Sequence, residues 1–160
     1  MTAARIRAAH AGDADDLHAL HLACWREAFS EQLSPEVFER QEREGLAAWR
    51  EALVDPRGIW IAHRDGAPVG LARAVAAGPG HVRPLELAKL YVLASEYGAG
   101  TADNLLEISI GDAPCLTWAA GFNLRAQRFY TKHGFRIDDS VQAHRAAPEW
   151  GEIALLRMIR

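Results

Sequence analysis

The stretch Asn123-Leu124-Arg125-Ala126-Gln127-Arg128-Phe129-Tyr130-Thr131-Lys132-His133-Gly134-Phe135 decides the reading of this chain. Asn123 reads as a helix N-cap, because its side-chain oxygen can accept from a free backbone N–H of the first turn. Ala126, Phe129 and Tyr130 then fall on one face at helical spacing. Gly134 supplies the left-handed residue that ends the helix, and Phe135 starts a strand. An ordinary amphipathic helix with a tyrosine at the edge of the core would show the same pattern.

A second stretch runs from Leu85 to Leu106, LELAKLYVLASEYGAGTADNLL. Its β-rich part ends at Val92–Leu93, a turn containing Gly98 and Gly100 follows, and a helix begins. Such a turn presents consecutive backbone N–H groups at a helix N-terminus, which suits an anion. Its glycines let the backbone approach a pyrophosphate closely. Alone this signal is weak, since many α/β proteins carry one.

Together the two stretches resemble the GNAT superfamily of acyl-CoA-dependent N-acyltransferases. The pattern N-x-x-A-x-x-F-Y-x-x-x-G-F is similar to that family's fourth helix, and Leu90-Tyr91-Val92 to its fourth strand. Tyr97, Gly98, Ala99, Gly100, Thr101 and Ala102 stand in the register of its pyrophosphate loop, Q/R-x-x-G-x-G/A. The departures carry physical weight. Tyr97 replaces Gln or Arg, and Ala99 and Asp103 occupy positions that are often basic. Asp103 favours the empty helix dipole and would repel a phosphate if it pointed inward. A phosphate would then be held largely by backbone N–H groups.

At 160 residues, with 49% apolar and 24% charged residues, the composition is that of one soluble globular domain with a sizeable core. A formal net charge of −3 gives no global attraction to nucleic acid or an anionic membrane. The start, Met1 to Arg7, lacks the apolar segment of a signal peptide, and no apolar run is long enough to span a bilayer. Cys24 and Cys115 show no metal-type spacing and read as reduced and buried.

Periodicity and turn chemistry order the remaining elements. Ile6–Ala8 reads as a strand, and Asp13-Ala14-Asp15-Asp16 opens a helix with its buried stripe at Leu17, Leu20, Cys24 and Ala28. Ser34-Pro35-Glu36 starts a second helix to about Leu53, with Leu46, Trp49 and Leu53 inward and Gly45 a point of interruption. Ile59–His63 and Val69–Val75 form a hairpin through Asp65-Gly66. Then come a strand over Leu85–Leu93, a helix over Gly98–Ile110 that Gly111-Asp112 ends early, and a strand over Cys115–Ala119. The Asn123 helix, a strand over Arg136–Asp138, a long loop over Ser140–Trp150 and a strand over Glu152–Ile159 complete the chain. That order is also the GNAT order. The resemblance implies an α/β (α+β) fold, a GNAT-type mixed, mostly antiparallel central sheet flanked by about four helices, as one domain over residues 1–160.

The chemistry the resemblance implies is transfer of an acetyl group from acetyl-CoA, as cosubstrate, to a primary amine, without a metal, in the cytoplasm. Backbone groups of Leu90, Tyr91, Val92 and Leu93 would hold the acyl and pantetheine arm. The turn from Gly98 to Asp103 would cradle the pyrophosphate, and Asn123 would contact the CoA chain. Tyr130, about two helical turns beyond Asn123, would be the general acid; a core tyrosine with its hydroxyl at the rim is the competing reading. An acid five residues before the asparagine, which some relatives carry, is here Trp118. Glu86 is the substitute general base, against a solvent-facing strand residue or a water relay. Trp25, Phe29, His144, Arg145 and Trp150 are candidate acceptor walls, each more often packing. Arg125 and Arg128 could meet CoA phosphates or line a solvated face. His133 reads as a helix-end residue. The partner is an amine acceptor, with a homodimer left open and neither nucleic acid nor membrane expected. Two rivals keep the same fold: a non-catalytic acyl-CoA-binding or sensing module, and an interaction protein that has lost the cofactor.

Overall fold

The Asp65-Gly66 pair turns the chain with φ of 51° and 82°, the two positive values that a two-residue hairpin matched to strand twist requires. Around it the computed structural model describes residues 2–140, 144–146, 150 and 153–160. The elements are β1 (Arg5–Ala8), α1 (Ala14–Phe29), α2 (Pro35–Ala52), β2 (Ile59–Arg64), β3 (Ala67–Ala76), β4 (Leu85–Val92), α3 (Thr101–Ile110), β5 (Cys115–Ala120), α4 (Leu124–Lys132), β6 (Arg136–Ile137), β7 (His144–Ala146) and β8 (Ala154–Ile159). The hydrogen-bonded strand order is β1-β2-β3-β4-β5-β8-β6, with β7 on β8. β4 and β5 run parallel, while β1–β2, β2–β3, β5–β8, β6–β8 and β7–β8 are antiparallel. The sheet is therefore mixed and mostly antiparallel, with four α-helices among the described residues. Among the described residues no helix is long and apolar enough to cross a membrane.

Two compact units divide the chain: Met1–Ala74 with Lys89–Gly111, and Val75–Ala88 with Asp112–Arg160. In the first, strand alternation sends Ile59 and Ile61 to one face and Trp60 and Ala62 to the other. The first face packs on Leu17, Leu20 and Cys24 of α1 and Trp49 of α2, with Tyr91 and Leu93 alongside. The opposite face packs on Leu105 of α3, with Leu90 and Val92 of β4. Leu93 N donates to Val69 O at 3.0 Å, which closes the hairpin of β3 and β4.

The α1 start is built as the acids imply. Asp15 and Asp16 occupy the first turn. Asp13 accepts from His10 N at 2.8 Å and from the Arg7 fork at 2.7 and 2.8 Å. Gly45 does not interrupt α2. It is buried there, and an added Cβ would stand 2.6 Å from His18 Nδ1. The glycine leaves room for the His18 ring of α1 against α2.

In the second unit, Leu85–Leu87 pair with Cys115–Thr117, and β8 runs antiparallel to β5 from Leu116↔Ile159 to Ala120↔Leu155. The expected loop over Ser140–Trp150 is corrected at its centre, where His144–Ala146 form a strand on β8. A strand this short shows no alternation in sequence; it forms because the far edge of β8 offers unpaired backbone groups. Residues 141–143 and 147–149 of that expectation, and Glu152 of the expected last strand, lie outside the described residues.

Candidate active site

The turn after β4 takes its shape from two glycines. Gly98 and Gly100 have φ of 76° and 86°, a region closed to most side chains. The expected helix over Gly98–Ile110 therefore begins only at Thr101, with Gly100 as its N-cap. Its first internal bond runs from Asn104 N to Gly100 O at 3.0 Å. The amides of Thr101 and Ala102 precede that bond and have no helical carbonyl to reach. A Cβ at Gly98 or Gly100 would meet nothing within 4 Å, so the space over the turn is open to an approaching group.

A buried ion pair underlies this turn, and the sequence reading missed it. Glu96 is 3% exposed. Arg64 of β2 donates to both its oxygens, at 2.7 and 2.8 Å, and the Thr101 hydroxyl donates to it at 2.5 Å. The Arg64 fork, helped by Thr101, outweighs burial and holds the Glu96 carboxyl down to about 2. A two-pronged guanidinium–carboxylate contact fixes orientation as well as charge. It joins β2 to the residue before the turn and, through Thr101, to the residue after it. Nothing local marked Glu96, because its partner is 32 residues away.

Of the strand residues expected to hold the acyl arm, Leu93 is committed to the protein. Its N–H goes to Val69 O, and its carbonyl accepts from Glu96 N at 2.9 Å. Tyr97 is exposed, and Asp103 is half-buried in the first turn of α3.

In the second unit Asn123 caps α4 as its sequence implies, Oδ1 accepting from Ala126 N at 3.1 Å. That leaves its amide hydrogens as donors. Gln127 Nε2 donates to Ala120 O and Gly121 O, at 3.2 and 3.1 Å, and holds the turn between β5 and α4. Tyr130 is 6% exposed, its ring packed on Phe129 and Phe135. Its phenol hydrogen-bonds with the Thr117 side chain, and burial pushes it up to about 12. Thr117 in turn donates to Leu87 O at 2.9 Å. Tyr130 is therefore tied through one hydroxyl to the strand residue next to Glu86. Glu86 itself is half-buried opposite Leu116. His133 lies at the end of α4, its N–H on Phe129 O and Tyr130 O.

Trp118, where some relatives have an acid, is half-buried, with the Arg157 guanidinium 5.8 Å from its ring centre. Arg157 also donates to Asp138 at 2.5 and 2.8 Å. Trp25 and Phe29 are corrected: at 4% exposure each they belong to the core and cannot line an acceptor wall. Their spacing with Leu17 and Leu22 along α1 widens its buried stripe beyond the one expected. Trp150 packs beside Ala120 and Leu155, and the side chains of His144 and Arg145 lie outside the described residues. Arg125 and Arg128 are exposed. Burial pushes the thiols of Cys24 and Cys115 up to about 12 and about 11, so neither is a nucleophile. Among the described residues no group of His, Cys, Asp and Glu could hold a metal ion.

Comparison with known proteins bears on this arrangement. The model of the acetyltransferase (GNAT) domain matches residues 55–137, which spans the hairpin, the glycine turn and α4. An uncharacterised N-acetyltransferase of Mycobacterium tuberculosis is 35% identical over 137 residues, covering 79% of this chain and 85% of that one. A probable N-acetyltransferase of the same organism is 30% identical over 145 residues, covering 84% and 80%. Among solved structures, the PaiA N-acetyltransferase of Thermoplasma acidophilum, in complex with coenzyme A, aligns with a TM-score of 0.74 at 16% identity over 98% of both chains. A GCN5-related N-acetyltransferase of Rhodopseudomonas palustris aligns at 0.72 and 20% identity over 100% of this chain and 96% of that one. These last two share the fold. The chain belongs to the GNAT family of N-acetyltransferases.

Proposed function

We propose that this enzyme moves an acetyl group from acetyl-CoA to a primary amine by direct attack of the amine on the thioester. The observation that carries the reading is the glycine turn at the head of α3, pinned on both sides by Glu96. Backbone N–H groups of the turn hold the pyrophosphate. Backbone groups of Leu90–Val92 hold the arm, and the Asn123 amide contacts it. In the reaction an N–C bond forms and the C–S bond breaks. The amine gives up a proton to Glu86, directly or through water, and the leaving thiolate gains one.

In this reading Tyr130 serves the thiolate as a donor only, its O–H turning to sulfur from Thr117, because a phenol at about 12 stays protonated at neutral pH. An ordinary thiol has a pKa of about 8.5, so complete transfer from this phenol is uphill. Its part is a hydrogen bond that strengthens as charge develops on sulfur, with the final proton drawn from water. Trp118 and Asp103 favour a second reading, in which the fold binds an acyl-CoA and catalyses nothing. A thiol-release assay with acetyl-CoA and a panel of primary amines, checked by mass spectrometry of the acetylated amine, separates the two. Calorimetric CoA binding without product from any amine would sink the catalytic reading, and no CoA binding would sink both.

A further inference from the structure

One imidazole of the first unit has no part in the chemistry above. His21 on α1 is 3% exposed. It lies edge-on to Trp25 at 4.8 Å and Trp49 at 5.7 Å, and tilted by 38° against Tyr91 of β4 at 5.0 Å. Gln41 Nε2 of α2 is 3.2 Å from its Nδ1. With Gln41 donating, the ring proton sits on Nε2, which is buried without a hydrogen-bond partner among the described residues. An apolar ring would fill the same box without that unsatisfied group. A second α1 side chain reaches the same strand end: Glu27 Oε2 accepts from Ala94 N at 2.6 Å, directly after β4.

We propose that His21 is a positioning residue for the cofactor turn, holding Tyr91 and the end of β4 where the Gly98–Asp103 turn needs them. The proposal rests on the reading of that turn as the CoA site. His21 does this as a neutral ring. The charged or titratable groups facing it are His18 on α1 and Lys89 and Tyr91 on β4; His18 and Lys89 oppose a second cation, Tyr91 is neutral from acid to neutral pH, and α2 presents Gln41 and Trp49, which do not titrate. Acidification would place an uncompensated charge against Tyr91 and release the strand end.

The test follows amide hydrogen exchange in residues 89–103 and 115–120, and the CoA dissociation constant, from about pH 8 down to about pH 4, because burial and the Lys89 and His18 charges hold the His21 imidazole well below its ordinary value. His21→Ala is expected to speed exchange in 89–103 by about tenfold relative to 115–120, and to weaken CoA binding about fivefold at neutral pH. His21→Phe restores a ring that cannot titrate. It is expected to recover the protection and to lack the loss of CoA affinity that the wild type is expected to show on the acid side. Equal acceleration of both segments in His21→Ala would overturn the proposal, as would a His21→Phe profile that falls with acid as the wild type's does. If exchange responds as expected while the wild type binds no CoA, the positioning role stands and the reading of the turn fails.

Discussion

Replacing Gly58 by alanine tests two costs that the structure separates. Gly58 has φ of 82°, and an added Cβ would stand 2.4 Å from Ala74 O. The left-handed backbone costs an alanine about 1–2 kcal/mol. The carbonyl cannot step aside cheaply, because Ala74 N is bonded to Gly58 O at 2.9 Å and β2 and β3 are paired there, Ile59↔Arg73. Forcing a methyl into such a site costs about 1–3 kcal/mol. Reduced freedom of the unfolded chain returns about 0.4–1 kcal/mol. The net loss centres near 3 kcal/mol, which for a chain of this size lowers Tm by roughly 6–12 °C. Gly66→Ala is the control. It has the same φ of 82° but nothing within 4 Å of the new methyl, so it bears the backbone cost alone. Urea denaturation of both variants should show Gly58→Ala less stable than Gly66→Ala by about 1–3 kcal/mol. Equal losses would mean that contact with Ala74 O contributes nothing, and the reasoning from close approach would be wrong.

Tyr130→Phe keeps the buried ring and deletes only the hydroxyl. It should lower kcat by about 10²–10³-fold with little change in CoA affinity; a drop under about tenfold with chemistry rate-limiting would show that the thiolate leaves without this hydrogen bond. Glu86→Gln should lower kcat and remove the acidic limb of the pH–rate profile, and an unchanged profile would leave a water relay in its place. Glu96 is held at about 2, below the ordinary glutamate value of about 4.3, so its ion pair supports the fold fully above that value and is lost as pH falls toward 2. Acid unfolding curves of wild type and Glu96→Gln should therefore diverge above about pH 4 and converge near pH 2, with CoA binding weaker in the variant at neutral pH; parallel curves would refute the role of the pair. Native Cys24 and Cys115 should resist a thiol alkylator that labels both in urea, and rapid native labelling would contradict their burial.

Much of the architecture was legible because its signals are local. The Asn123 cap, the Asp65-Gly66 hairpin, Pro35 at the head of α2 and Gly111 at the foot of α3 each act within a few residues. Each sits where the turn and capping chemistry puts it. The limits of local reading are equally particular. Gly45 looks like a helix breaker in sequence, yet it is a contact point against His18. Trp25 and Phe29 could have faced either way on a mostly apolar helix, and the packing of α1 on the sheet turned them inward.

The sequence by itself determined the order and type of nearly all elements, and the glycine-containing turn before α3, because helical period, strand alternation and turn propensity are properties of adjacent residues. Only the tertiary structure decided which charges meet and what each one experiences. Arg64 reaches Glu96, Gln41 reaches His21, and Thr117 meets Tyr130 across long stretches of chain. The Arg64 fork that holds a carboxyl near 2 against its burial, and the low dielectric that lifts a phenol near 12, exist only once the surrounding side chains have closed over each group.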